Sequence, residues 1–195
     1  MSALFIPSFN LARRKFFSST GRMTLSAAAV ALLAGKEALA KTTIQVADAA
    51  TSDVDILNSA LGAEQEAIAA YQLGAESGLL KKPALDLAVT FQGQHKAHAD
   101  LLAATVKKLG GTPVPAKTVA DYHFPTDKLK SGTDVLRFAA SLEKGAVSAY
   151  LGAIPLFANR DLAHAAGSIL GDEAMHWAIL RQALGEPPVP DAFVA

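Results

Sequence analysis

Glu64, His95, His98, Glu143, Glu173 and His176 are the residues of this 195-residue sequence whose types and spacing could do chemistry together. Glu173 and His176 stand three apart, as do His95 and His98, and on an α-helix that spacing puts each pair on one face. Three carboxylates and three imidazoles form an oxygen–nitrogen donor set of the kind that suits iron or manganese, with zinc as a further option. The sequence has no cysteine. Disulfides, thiolate-bound zinc and iron–sulfur clusters are therefore excluded, and any metal must be held by nitrogen and oxygen.

All six residues fall inside apolar stripes of helical period. Four helices are expected: about Ser52 to Gly78, Pro83 to Leu109, Ser131 or Thr133 to about Ile154, and from just after Asn159 to Gly185. Ser52 and Asn159 are placed as N-caps, Asp53 and Asp55 in a first turn where the helix dipole favours them, and Pro83 at a helix start. The stripes are Leu57, Leu61, Glu64, Ile68, Tyr71; Leu87, Phe91, His95, His98, Leu102; Leu136, Ala139, Glu143, Val147, Tyr150; and Ala166, Ile169, Glu173, His176, Leu180. Trp177, Phe138 and Phe157 are expected in the core. Glu66, Glu76, Asp100 and Asp172 are expected to face solvent, and His123 and His164 fall off the stripes. Helices one and two, and three and four, are joined by short links, while about twenty residues containing Pro113, Pro115 and Pro125 separate the two pairs. That punctuation predicts an all-α four-helix bundle of two antiparallel hairpins joined by a long crossover.

A bundle buries its stripes, and an ionised carboxylate buried without a partner costs several kcal/mol. Three carboxylates together would also repel one another. Protonation could compensate, as could Lys or Arg at the same level, but none falls at the matching layer. A di- or trivalent cation would neutralise the carboxylates and accept the imidazoles as well.

The chain also repeats itself. Glu64 to Glu143 and Tyr71 to Tyr150 are both 79 positions, while His95 to Glu173 and His98 to His176 are both 78. The one-residue slip fits a shorter turn in the second hairpin. With those motifs the sequence resembles the ferritin-like superfamily over about residues 50–186, particularly bacterial ferritin-like domain proteins exported by the twin-arginine (Tat) route and related to rubrerythrin-type and desiccation-related proteins. The resemblance implies a Glu on helices one and three and a Glu-x-x-His pair on helices two and four. It makes Glu64, His98, Glu143, Glu173 and His176 metal ligands with Tyr71 and Tyr150 behind them. His95 departs from the pattern by standing where a Glu would be expected, which leaves open one ion or two. The implied activity is oxidation of Fe(II) by oxygen or peroxide, or peroxide removal. The alternative is a non-catalytic stress or desiccation protein with a vestigial site.

Residues 1–40 resemble a signal for the Tat export machinery, with Arg13-Arg14 followed by Lys15-Phe16-Phe17, an apolar run from Met23 to Ala34, and Ala38-Leu39-Ala40 as a cleavage site. The run is too short to span a ~30 Å bilayer core as a helix. The expected layout is signal 1–40, linker 41–51, bundle 52–185 and tail 186–195, with a periplasmic location. The chain has 18 basic and 18 acidic residues. The signal would take five basic residues and one acidic residue, leaving 13 and 17, so no basic field exists to attract nucleic acid. The expected partners are metal ions and the export machinery, with self-association left open.

Overall fold

A computed structural model describes residues 49–193, and the expected signal segment lies outside them. Four helices make up the fold: α1 (Ala49–Glu76), α2 (Lys82–Lys108), α3 (Gly132–Ala153) and α4 (Arg160–Ala183). Among the described residues there is no strand, and none of the helices is long and apolar enough to cross a membrane. α1 packs mainly on α2 and α3 mainly on α4, so two antiparallel hairpins come together as a ferritin-like bundle.

Local chemistry sets the helix ends. The Ser131 hydroxyl accepts the Asp134 amide N–H at 3.2 Å and donates to the Asp134 carboxylate at 2.7 Å, which starts α3. The Asn159 side chain accepts the Asp161 amide N–H and starts α4. α2 ends where Gly110 takes φ +80°, letting the Gly111 amide reach back to the Val106 carbonyl at 2.9 Å. α3 closes in a short 3-10 turn, Ile154–Leu156, around Pro155. The start of α1 differs from expectation. The chain is already helical at Ala49, so Ser52 lies inside the helix and is not its N-cap. Asp53, a full turn in, is buried, and its carboxylate accepts the Ala158 and Asn159 amides at 2.8 and 3.0 Å. It ties α1 to the opposite hairpin, a role no local pattern announces.

The crossover is fastened along α1. The Asn58 side chain donates to the Thr112 carbonyl and accepts the Val114 amide, and Gln65 donates to the Val114 carbonyl. A chain of rings, Tyr122 on Phe124 and Phe124 on Phe138, holds its far end. Phe138 is therefore half-buried under the crossover and not in the core. Trp177 is half-buried too, with the Lys144 and Arg181 cations over its ring, and Phe157 is half-buried against the core.

Two apolar clusters fill the bundle. One contains Leu57, Leu61, Leu102, Val106 and Ile169, and the other Tyr71, Ala88, Phe91, Ala140 and Leu180. Each fully buried aliphatic side chain contributes about 1.5–3 kcal/mol. Along α1, α2 and α4 the two clusters leave one layer between them, and Glu64, His95, His98, Glu173 and His176 occupy it.

Candidate metal centre

All six predicted side chains converge in that layer. Glu64, His95, Glu143, Glu173 and His176 are each at most 2% exposed, and the His98 side chain is 15% exposed at the edge. Two overlapping quartets form: Glu64, His95, His98 and Glu173, and His95, Glu143, Glu173 and His176. Within each, one donor atom from every residue lies within 4.8 Å of the others. His95 and Glu173, repeat partners in the sequence, belong to both. Glu173 sends Oε1 toward His98 Nδ1 at 3.1 Å and Oε2 toward His176 Nδ1 at 3.8 Å. His95 points Nδ1 at Glu64 Oε2, 2.8 Å away, and Nε2 at Glu143 Oε1, 3.3 Å away.

The tyrosines couple the halves crosswise. Tyr71 of α1 donates its hydroxyl to Glu143 Oε1 of α3, and Tyr150 of α3 donates to Glu64 Oε1 of α1 at 2.6 Å. The repeat thus becomes a reciprocal exchange between hairpins. A second exchange lies behind the histidines. His176 Nε2 is 2.7 Å from Gln94 Oε1, and both His98 Nε2 and His176 Nε2 lie 3.3 Å from Asp172 Oδ2. Asp172 therefore does not face solvent as expected but borders the site. Gln94 and Asp172 are themselves 78 positions apart, the offset of the histidine pairs, and that was the signal that could have found both. Glu66 also departs from expectation: it is half-buried against the crossover, where burial raises its pKa against the opposing charge of Lys117. Glu76 and Asp100 are exposed as expected, and His123 and His164 lie outside the cluster. Phe91 stacks on His176 with centroids 4.0 Å apart.

The electrostatics are those of a site balanced by protons. Burial pushes the Glu173 carboxyl up, and the neighbouring Glu143 carboxylate adds to this, to about 11. Burial works against a charged His95, but the carboxylates of Glu143, Glu64 and Glu173 outweigh it and raise the imidazole to about 10. Burial also pushes Glu64 and Glu143 up. The histidines beside them reverse this and hold Glu64 below its ordinary value and Glu143 far below it. Tyr71 and Tyr150 are raised well above theirs by burial and by the carboxylates they bond. Among the described residues no Lys or Arg forms an ion pair with the cluster.

Protons do not satisfy everything. His98 Nδ1, His176 Nδ1, Glu143 Oε2 and both Glu173 oxygens are buried without a hydrogen-bond partner. Each such group costs about 1–3 kcal/mol, more if charged. Five of them facing one another in a single layer fit a bound cation, because they are nitrogen and oxygen lone-pair donors. Between α1 and α3 an alanine-rich apolar groove, including Ala60, Ala63, Ala146 and Ala149, reaches Glu64 and His95.

The fold and this cluster define a carboxylate–histidine helical bundle. The chain belongs to the ferritin-like domain family, whose model matches residues 52–186. Among solved structures it is similar to a conserved hypothetical protein, rv2844, from Mycobacterium tuberculosis. Identity is 23%, the TM-score is 0.64, and the match covers 75% of this chain and 99% of that one. It is also similar to a ferritin-like, diiron-carboxylate protein from Bacillus anthracis str. Ames, at 21% identity and a TM-score of 0.57, covering 71% and 99%. At these identities the likeness shows the fold. No protein of curated function matches the sequence.

Proposed function

We propose that this protein binds iron or manganese at Glu64, His95, His98, Glu143, Glu173 and His176 and uses the metal in redox chemistry toward oxygen or peroxide. The observation that carries the reading is the set of five partnerless donor atoms converging in one buried layer. The diiron-carboxylate character named for the Bacillus anthracis relative supports it. A redox-active ion held there would supply one-electron chemistry toward oxygen or peroxide.

The chain's own residues do the rest. Glu64, Glu143 and Glu173 neutralise positive charge. Gln94 accepts the Nε2–H of His176, and the Asp172 carboxylate faces Nε2 of both His98 and His176 at 3.3 Å, so both rings are set to present the Nδ1 lone pair inward. Tyr71 and Tyr150 each hold one oxygen of a carboxylate and leave the other to face the layer. The two apolar clusters exclude water above and below. His98 and Asp172, the most exposed members, mark the side by which ions enter.

The twin-arginine pattern and Ala38-Leu39-Ala40 support export to the periplasm, and fusing residues 1–40 to a reporter tests it through Arg13→Lys with Arg14→Lys, which should hold the reporter in the cytoplasm. The metal reading is tested by elemental analysis of protein purified from its native compartment, beside the double variant Glu143→Ala, Glu173→Ala. About one or two equivalents of iron or manganese are expected in the native chain and none in the variant. Equal metal content in both, with folding unchanged, would favour a non-catalytic stress protein, a reading to which the lost carboxylate at position 95 lends support.

A further inference from the structure

His95 breaks the symmetry of the site. Its repeat partner Glu173 is a carboxylate with a partnerless oxygen for each half. An imidazole differs: in its neutral form one nitrogen carries a proton and only the other has a lone pair to give. His95 can therefore serve as a ligand in one half and must present N–H to the other.

When His95 gives up one proton to serve as a ligand, the distances favour keeping the other on Nδ1. His95 Nδ1 lies 2.8 Å from Glu64 Oε2, a good donor–acceptor distance, whereas Nε2 lies at the longer 3.3 Å from Glu143 Oε1. With the proton on Nδ1, both Glu64 oxygens are engaged, Oε1 by Tyr150 and Oε2 by His95. Glu143 is held only through Oε1, and its Oε2 is partnerless. The half made by Glu143, Glu173 and His176 thus contains three partnerless donors, Glu143 Oε2, Glu173 Oε2 and His176 Nδ1, and gains His95 Nε2 as a fourth. The other half keeps only His98 Nδ1 and Glu173 Oε1.

Resting on the metal-centre reading, we propose that each chain holds one tightly bound ion, in the half formed by His95 Nε2, Glu143, Glu173 and His176, and that the His95 Nδ1–H bond to Glu64 stands where a second cation would be.

The test is titration of the full chain with Mn(II), followed by calorimetry and electron paramagnetic resonance. One tight Mn(II) per chain with an uncoupled signal is expected. Glu143→Gln and His176→Ala should each weaken it by about 10- to 100-fold or more, the loss that even outer partners of a metal produce. His98→Ala should change it by less than about threefold, and Glu64→Gln, which keeps an acceptor oxygen for the His95 Nδ1–H, should cost less than Glu143→Gln. His95→Glu, which returns a donor oxygen to each half, should bind two ions with a spin-coupled signal. A measurement on the unsubstituted chain guards against misfolded variants. With Zn(II) bound, nitrogen-15 spectra should show His95 protonated on Nδ1, and His98 and His176 protonated on Nε2. Two equivalent ions in the unsubstituted chain, equal losses from Glu64→Gln and Glu143→Gln, a His95→Glu chain still limited to one ion, or a proton on His95 Nε2 would each overturn the assignment and leave the metal centre standing. No Mn(II) binding at all would overturn the metal centre itself.

Discussion

A histidine becomes a good ligand only when something accepts the proton on its other nitrogen, and here Asp172 and Gln94 do so for His98 and His176. Gln94→Ala should weaken metal binding by about 10- to 100-fold while leaving the helix content unchanged, as read by calorimetry and circular dichroism. Asp172→Ala should cost less, because Gln94 still accepts the His176 Nε2–H at 2.7 Å. Metal binding must also displace protons. His95, raised to about 10, and Glu173, raised to about 11, are both protonated at neutral pH in the metal-free chain. Each gives up a proton to become a ligand, whereas Glu64 and Glu143, held below their ordinary values, are already ionised. Affinity should therefore rise with pH, by up to about 100-fold per unit between about pH 6 and 8, with about two protons released per ion. Calorimetry in buffers of different ionisation enthalpy counts those protons, and a pH-independent affinity would show that the cluster is not proton-balanced. At this scale the six inward residues were legible because carboxylates and imidazoles in an apolar stripe violate the pattern around them. Asp172 and Gln94 were not, because each lies one residue before a cluster residue, at the edge of the stripe, where a polar side chain violates nothing.

Helices are held in place by their ends and connections, and here the crossover does much of that work. Gly111 packs so closely that a Cβ would come 2.6 Å from Val54 Cγ1 and 3.1 Å from Val106 Cγ1. Gly111→Ala should therefore destabilise the fold by about 1–3 kcal/mol through overpacking. Gly62, inside α1, offers a control: a Cβ there meets nothing within 4 Å. Gly62→Ala should stabilise by about 0.5–1 kcal/mol by lowering the entropy lost on forming the helix. Urea unfolding of both variants checks the pair, and equal effects would mean that the crossover does not bear on α1. The four helices could be read directly, because Pro83, Ser131, Asn159, Gly110 and Gly185 mark their ends with residues whose backbone and side-chain chemistry is local. The start of α1 could not. Ser52 followed by Asp53 looks like a cap, but Asp53 is engaged by amides about 105 positions away, and no local pattern encodes that contact.

At the level of the whole molecule, the two hairpins meet through the two apolar clusters and through the polar layer between them. Tyr71 to Glu143, Tyr150 to Glu64, His176 to Gln94 and His98 to Asp172 all run from one hairpin to the other. An ion held from both sides would clamp the same joint, so binding and stability are linked. At an ion concentration about 100 times its dissociation constant the native state gains about 2.7 kcal/mol. For a domain of this size that raises the melting temperature by about 5–10 °C, at about 2–4 °C per kcal/mol. The pH dependence of the chelated protein has a definite sign. The raised His95 favours the fold fully below its unfolded pKa, near 6.5, and that support is lost as pH rises through about 10. The raised Glu173 acts in the same direction, beginning at about 4.5. Glu64 and Glu143, lowered in the fold, support it above about 4.5 and lose that support as pH falls. The metal-free chain should therefore be most stable in mildly acidic solution and weaken above neutrality. In the loaded chain the ion takes the place of the protons, so the gap in melting temperature between loaded and chelated protein should widen steadily from about pH 6 to 9. Differential scanning calorimetry at matched ionic strength measures that gap, and a gap that narrows as pH rises would mean that the buried layer is not where the ion and the protons compete.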